Sequence, residues 1–187
     1  DSRGRRFLEL ESENKHCRQY DTIYIVRPGA KIEHLLEPVI EKLEPVNPNR
    51  TVLVHAAAGI CNLTKKFRNR YGESEVTLGT ENYLNLLDKY YTFKNNIKRV
   101  HPRTIVSFCT VPPANLRIIQ ASALEKGKLL HPTCSTEELR KQTDELVERV
   151  VELNFDLVKS NSYNQLGIRP QTASLHSFCL KTKQSNK

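Results

Sequence analysis

Hydrophobic residues recur along this chain with two spacings, and each spacing marks an element. Thr22-Ile23-Tyr24-Ile25-Val26 is rich in β-branched residues and reads as a buried strand. It stops at the turn sequence Arg27-Pro28-Gly29-Ala30. Residues 31–44 then place Ile32, Leu35, Leu36, Val39, Ile40 and Leu43 on one helical stripe. Pro38 falls inside that stripe. An interior proline costs about 3 kcal/mol, so the helix is kinked there or begins one turn later. Pro45 and Pro48 end it. A second strand covers Thr51 to about Ala57 and runs into Gly59-Ile60-Cys61-Asn62. Lys65–Gly72 reads as a basic loop or short helix. Residues 81–98 carry Tyr83, Leu87, Tyr90, Tyr91 and Ile97 at helical spacing. A third strand, Thr104 to Val111, stops at Pro112-Pro113, and a helix or irregular segment follows to about Leu130. Ser135 or Thr136 is then a credible N-cap, with Glu138 placed for a capping box in the first case. The helix behind it sets Leu139, Leu146, Val150, Leu153 and Leu157 on one face. From about residue 161 the chain is polar and basic, with a candidate short strand near Ser177–Leu180.

Strands alternating with helices predict a three-layer αβα sandwich around a mostly parallel sheet. A length of 187 residues suits a single domain, 1–187, with a basic tail from about 161. Sheets of this kind carry their working residues at the carboxyl ends of strands. Here those ends hold Arg27, His55 and Asn62.

Charge changes the picture more than overall composition does. The net charge of +8 favours an anionic partner, nucleic acid or an acidic membrane face. Its distribution is uneven. The helix 136–156 holds Glu137, Glu138, Asp144, Glu145, Glu148, Glu152 and Asp156 against Arg140, Lys141 and Arg149. No acid occurs between Lys89 and Leu124 or after Asp156, while Lys65, Lys66, Arg68 and Arg70 form a further basic cluster. A solvated basic face accounts for any one cluster. Several of them beside one acidic helix imply a two-faced molecule suited to a polyanion. No apolar run approaches the roughly 18–20 residues of a membrane span, and no charged-then-apolar leader opens the chain, so neither membrane insertion nor secretion is expected. Cys17, Cys61, Cys109, Cys134 and Cys179 are odd in number and unpaired in spacing, as reduced thiols of a cytosolic or nuclear protein would be.

Motifs for cofactor chemistry are missing. There is no G-x-G-x-x-G, no Walker sequence, no H-E-x-x-H and no Cys/His ligand spacing, so no cofactor and no metal is expected. Cys61 with His55 is the thiol-nucleophile alternative, against which His55 reads as an ordinary strand-end residue.

Pro28-Gly29, Val54-His55 through Asn62, Pro112-Pro113 after a strand, and His176 about ten residues from the end resemble the corresponding blocks of the SGNH (GDSL-like) hydrolases. That resemblance implies an SGNH-hydrolase-like, flavodoxin-like fold. Its vestigial site would comprise Ser2 as nucleophile, Gly29 and Asn62 as oxyanion donors and His176 as base. The departures are large. Ala173 stands three residues before His176, where the family has Asp, so nothing in sequence holds the imidazole tautomer. Gly59 and Asn62 are one residue too far apart for the Gly-x-Asn block. A hydrolase scaffold with an eroded catalytic set and a basic surface, carrying Tyr24-Ile25-Val26-Arg27-Pro28-Gly29-Ala30, Val52-Leu53-Val54-His55 with Gly59–Asn62, Ile105–Pro113 and a basic tail, resembles the SGNH-hydrolase-like C-terminal domains of the Oskar family of insect germ-plasm organisers. This implies a pseudoenzyme that binds mRNA, in its 3′ untranslated regions, in cytoplasmic germ-plasm or ribonucleoprotein granules. It also implies a developmental role in mRNA localisation and pole-cell formation, with other germ-plasm proteins as further partners. The RNA-contacting candidates are Arg27, Lys65, Lys66, Arg68, Arg99, Arg103, Arg169, Lys181 and Lys183. An SGNH-type esterase or deacetylase, and a protein-interaction scaffold, are the alternative readings.

Overall fold

A computed structural model describes residues 23–160. Ser2, Arg169, His176, Lys181, Lys183 and the candidate strand near Ser177–Leu180 lie outside the described residues. The order is a short 3-10 turn (Ile32–Leu35), α1 (Leu36–Leu43), β1 (Val52–Ala56), α2 (Ile60–Leu63), β2 (Thr64–Arg68), β3 (Ser74–Leu78), α3 (Tyr83–Val100), β4 (Thr104–Phe108), α4 (Leu116–Glu125) and α5 (Thr136–Ser160). The chain is therefore mixed α/β with a small parallel sheet.

The sheet differs from the expectation. Among the described residues, β1 pairs with β4 in parallel, Val52 opposite Thr104 through Ala56 opposite Phe108. β2 pairs with β3 as an antiparallel hairpin. The expected mostly parallel sheet is thus one parallel pair here. Residues 23–27 are not strand, and Ile23 is 60% exposed. A strand must pass its backbone groups to a neighbour, and no described segment pairs with this one. Lys65–Gly72, read as a loop or short helix, is instead strand β2 and its turn.

Local chemistry explains the helix limits. α1 begins after Leu35, one turn later than the apolar stripe, which puts Pro38 in the first turn, where its missing N–H leaves no helical bond unmade. The Asn82 side chain accepts from the Asn85 N–H at 2.8 Å to start α3, and Asn115 does the same from Ile118 to start α4. Ser135 Oγ accepts from the Glu138 N–H at 3.1 Å and starts α5. The Glu138 carboxylate takes a hydrogen bond from the Gln142 side chain.

The core lies between one sheet face and the helices. Val106 and Phe108 point inward, and Phe108 meets Tyr90 edge-on with ring centroids 4.7 Å apart. Helix α3 buries Leu86, Tyr90, Phe93 and Ile97, whereas Tyr91, expected inside, is exposed. The true stripe is turned by about one residue from the expected one. Helix α5 buries the whole expected face, with Thr143 and Asn154 added. Asn154 spans the backbone of Val111, accepting from its N–H at 2.7 Å and donating to its C=O at 2.8 Å. A carboxamide used this way replaces a strand neighbour for the chain that leaves β4.

Gly59 joins β1 to α2 in a conformation closed to side chains, with φ 125°. A Cβ there would stand 2.5 Å from the Tyr90 hydroxyl and 2.7 Å from a Val111 methyl. Gly29, with φ 76°, has open space around it. Gly59→Ala is therefore expected to destabilise by roughly 2–6 kcal/mol, combining backbone strain with overpacking. Gly29→Ala carries the strain alone, about 1–2 kcal/mol. Urea unfolding checks the contrast, and equal midpoints for the two variants would refute it.

Candidate functional site

The carboxyl end of β1 is where an α/β sheet keeps its chemistry, and it holds Asn62. Helix α2 carries Asn62 inward until it is 3% exposed. Its carboxamide is fully committed. Oδ1 accepts from the Ile32 N–H at 3.1 Å, and Nδ2 donates to Glu33 at 2.9 Å and to Glu81 at 3.5 Å. Lys89 bridges the same two carboxylates. Burial tends to raise the Glu33 pKa, but bonds from Asn62, its own backbone and Lys89 hold it below the ordinary value. The Glu81 hydrogen bond, with further help from Glu33, pushes Lys89 up. Asn62 thus ties the segment before α1 to α2 and to the entry of α3. An oxyanion placed at its amide would face two carboxylates, the reverse of the electrostatics that stabilise a tetrahedral intermediate.

Of the rest of the expected hydrolase set, Ser2 and His176 lie outside the described residues, which leaves Gly29. Gly29 sits in an exposed turn closed by the Ala30 N–H on Arg27 C=O at 3.2 Å, with Pro28 and then Gly29 at its two central positions. That turn, rather than a strand end, places Arg27. His55 shares a hydrogen bond with Ser107 across the parallel pair. Among the described residues no carboxylate is bonded to His55, and Ser107 is 6% exposed within β4.

The other described basic candidates divide between two ends, and Arg169, Lys181 and Lys183 lie outside the described residues. Arg99 lies in the last turn of α3 and Arg103 just before β4, at the amino end of the parallel pair. The Arg103 guanidinium donates to Asn49 C=O at 2.7 Å. Lys65, Lys66 and Arg68 are exposed on β2, which leaves α2 beyond the carboxyl end of β1. Lys65 does not stand clear of the acidic helix: with Phe67 and Thr77 it lines a shallow groove shared with Glu138 and Glu145. Lys66 and Arg68 point from alternate positions, to the other face of the hairpin.

The hairpin is held by a polar clasp that the sequence pattern did not reveal. Asn69, 8% exposed, donates to Glu73 at 3.1 Å, to Glu75 at 2.9 Å and to His131 C=O at 2.9 Å. Its Oδ1 accepts from the N–H groups of Tyr71 and Glu73, shaping the turn. Glu75, 4% exposed, accepts from the Thr133 N–H and hydroxyl. Glu73 accepts from the N–H groups of Leu130 and His131. No side-chain polar atom of the described core is left without a partner. On this clasp rests an exposed stack. The Tyr71 and His131 rings lie 4.2 Å apart, tilted by 31°, and the Arg70 guanidinium lies 4.8 Å from the Tyr71 ring centre. A turn loop with Gly72 between two alternating segments was the available signal for the hairpin. Nothing in the sequence joined it to His131, some sixty residues away.

No group of acidic, histidine or cysteine side chains among the described residues is arranged to hold a metal ion, and none of their helices is long and apolar enough to cross a membrane. No protein-family model matches the chain, and no curated protein or solved structure matches it either.

The clasp sets an acid limit. Burial raises the pKa of Glu75, but the bonds from Thr133 and Asn69 outweigh it and leave the carboxyl below the ordinary 4.5. Glu73 is lowered likewise, burial being outweighed by Asn69, His131 and Leu130. A depressed folded-state pKa gives stability that is present above the unfolded value and lost as pH falls through the folded one. Thermal unfolding of the protein and of Glu75→Gln should therefore differ most at pH 7 and converge as pH falls below 4.5. A gap that stays constant from pH 7 into that acid range would show that the carboxylate charge does not hold the clasp.

Proposed function

We propose that this chain is a non-catalytic RNA-binding domain of the Oskar type, built on an SGNH-hydrolase-like αβα scaffold and working in cytoplasmic ribonucleoprotein or germ-plasm granules on the 3′ untranslated regions of mRNA. The observation that carries the reading is the basic hairpin at the carboxyl end of β1. Lys65, Lys66 and Arg68 are exposed there, and among the described residues none of them is in an ion pair. Fixed basic side chains neutralise phosphates and release counterions, and that release supplies most of the affinity for a nucleic-acid backbone. The commitment of Asn62 to Glu33 and Glu81 supports the pseudoenzyme half of the reading, because it removes the expected oxyanion donor. The resemblance in the blocks around Arg27, His55 and Pro112 supports the family.

One observation favours an esterase instead: the His55–Ser107 contact. A Ser–His pair needs a third group to orient the imidazole and an oxyanion site beside it. Among the described residues neither is supplied.

Two measurements test the proposal. With roughly four to six phosphates neutralised, the slope of log K against log salt for single-stranded RNA should be about −3 to −4, taking about −0.7 per phosphate. A flat response would overturn it. Hydrolysis of p-nitrophenyl acetate should not exceed background. Turnover abolished by Ser107→Ala or by His176→Ala would favour the esterase.

Charge reversal locates the surface. Lys66→Glu and Arg68→Glu should each weaken RNA binding without unfolding the protein, since exposed substitutions usually shift stability by less than about 0.5 kcal/mol. Lys141→Glu, on the acidic helix, should matter much less. Anisotropy titrations showing equal losses at Lys66 and Lys141 would mean that net charge alone drives binding.

A further inference from the structure

At the hairpin tip the Tyr71 ring packs against His131 and under the Arg70 guanidinium, and the His131 imidazole reaches the clasp through Nδ1 to Glu73 at 3.4 Å. The clasp already fixes the turn through Asn69, Glu73 and Glu75, and Leu129, not Tyr71, is the apolar side chain buried near it. Tyr71 is 51% exposed, and the side chain of His131 is 53% exposed. An aromatic residue left half in water gains little from burial. Planar groups presented to solvent on a rigid turn, beside cations, are instead what single-stranded nucleic acid uses. Unpaired bases stack on tyrosine, histidine and guanidinium planes, while lysine and arginine take the flanking phosphates.

We propose that Arg70, Tyr71 and His131 form a stacking platform for an unpaired base of RNA, with Lys66 and Arg68 holding the neighbouring phosphates. The proposal rests on the RNA-binding reading and adds to it a contact that phosphate attraction does not provide. Three features of the geometry carry it. The two rings and the guanidinium are already stacked, so a base extends an existing pile and does not have to assemble one. The turn beneath is pinned by buried bonds from Asn69 to Glu75 and to the His131 carbonyl, so ordering the loop costs little on binding. The Arg68 guanidinium donates to Gly72 C=O at 3.2 Å, which holds a cation against the same turn. The Glu73 carboxylate lies beside the platform and is occupied by the backbone N–H groups of Leu130 and His131 and by the His131 ring at 3.4 Å. The platform therefore suits a neutral ring face, and phosphates belong on the Lys66 and Arg68 side.

The test uses the full chain and a fluorescein-labelled single-stranded RNA, alongside the same strand carrying abasic sites. Tyr71→Ala should weaken binding to the intact strand roughly 5- to 150-fold, the range for losing one stacked base. Tyr71→Phe keeps the ring and should bind as the parent does. The salt slope should be unchanged in Tyr71→Ala, because no phosphate contact is removed. On the abasic strand, the parent and Tyr71→Ala should bind alike. Equal affinity of the parent and Tyr71→Ala for the intact strand would overturn the platform and leave phosphate-driven RNA binding standing. An equal loss on intact and abasic strands would overturn it as well, since the effect would not then come from a base. Absence of RNA binding by the parent would instead overturn the functional reading on which the platform rests. A circular dichroism melt of Tyr71→Ala matching that of the parent excludes unfolding as the cause of any loss.

Discussion

The close approach of Gly59 to Tyr90 and Val111 is the contact on which the upper half of this molecule depends. Three parts of the chain meet there: the end of β1, the middle of α3 and the segment leaving β4. The Tyr90 hydroxyl donates to Ala58 C=O at 2.6 Å, immediately before the glycine, so the buried phenol has a partner and the chain has a fixed exit point. Burial in that position also pushes the phenol pKa well above its ordinary value, so the hydroxyl remains a donor at any physiological pH. From this point α2 turns Asn62 inward, and the next residues begin the hairpin. A side chain at 59 would displace the origin from which both the Asn62 network and the basic hairpin are aimed.

From that origin the molecule divides its charges between two sides. On the inner side, carboxylates are consumed by structure: Glu33 and Glu81 by Asn62 and Lys89, Glu73 and Glu75 by Asn69 and the 130–133 backbone. Each has donors within reach, and Glu75, the buried one of the four, is bonded by Asn69 and Thr133, as a buried acid must be. On the outer side of the hairpin Lys66 and Arg68 meet no such carboxylates among the described residues. The acids thus hold the scaffold, and the bases remain available to a ligand. The charge pattern of the sequence showed the excess of cations but not this partition, because sequence position does not reveal which carboxylates are already engaged.

Elements with strong periodicity were legible. The buried face of α5, the start of α1 that leaves Pro38 in its first turn, and the two strands that pair in parallel all follow from the spacing of apolar residues and from proline chemistry. The α3 stripe was displaced because its three aromatic candidates, Tyr83, Tyr90 and Tyr91, compete with Leu86 and Phe93 for the inner face, and periodicity alone does not rank them. The hairpin was hidden by its composition: Thr64-Lys65-Lys66-Phe67-Arg68 has one large apolar residue, and its strand character comes from pairing with Ser74–Leu78. The segment 23–27 erred the other way. Its β-branched run is ideal for a strand, but propensity does not supply the neighbour that a strand requires. Contacts between distant segments, Asn69 with the 131 carbonyl and His55 with Ser107, left no trace in local sequence at all.

Asn62 shows how the partners of a side chain decide its chemistry. An asparagine one turn beyond a strand end is well placed to donate to a developing negative charge, and the resemblance to hydrolases implies that role. In the structure the same amide N–H groups point at Glu33 and Glu81, and the carbonyl of the side chain receives the Ile32 N–H. A donor used in this way lends geometry, because redirecting it would leave the buried Ile32 N–H short of a partner, at about 1–3 kcal/mol, and would take one donor from each carboxylate. Lys89 adds to the lock, since its charge is most favourable where both carboxylates remain ionised. The network is therefore self-consistent with Asn62 turned toward Glu33 and Glu81. The hairpin that begins just after Asn62 is the contrasting case, since its side chains facing solvent are cationic and aromatic.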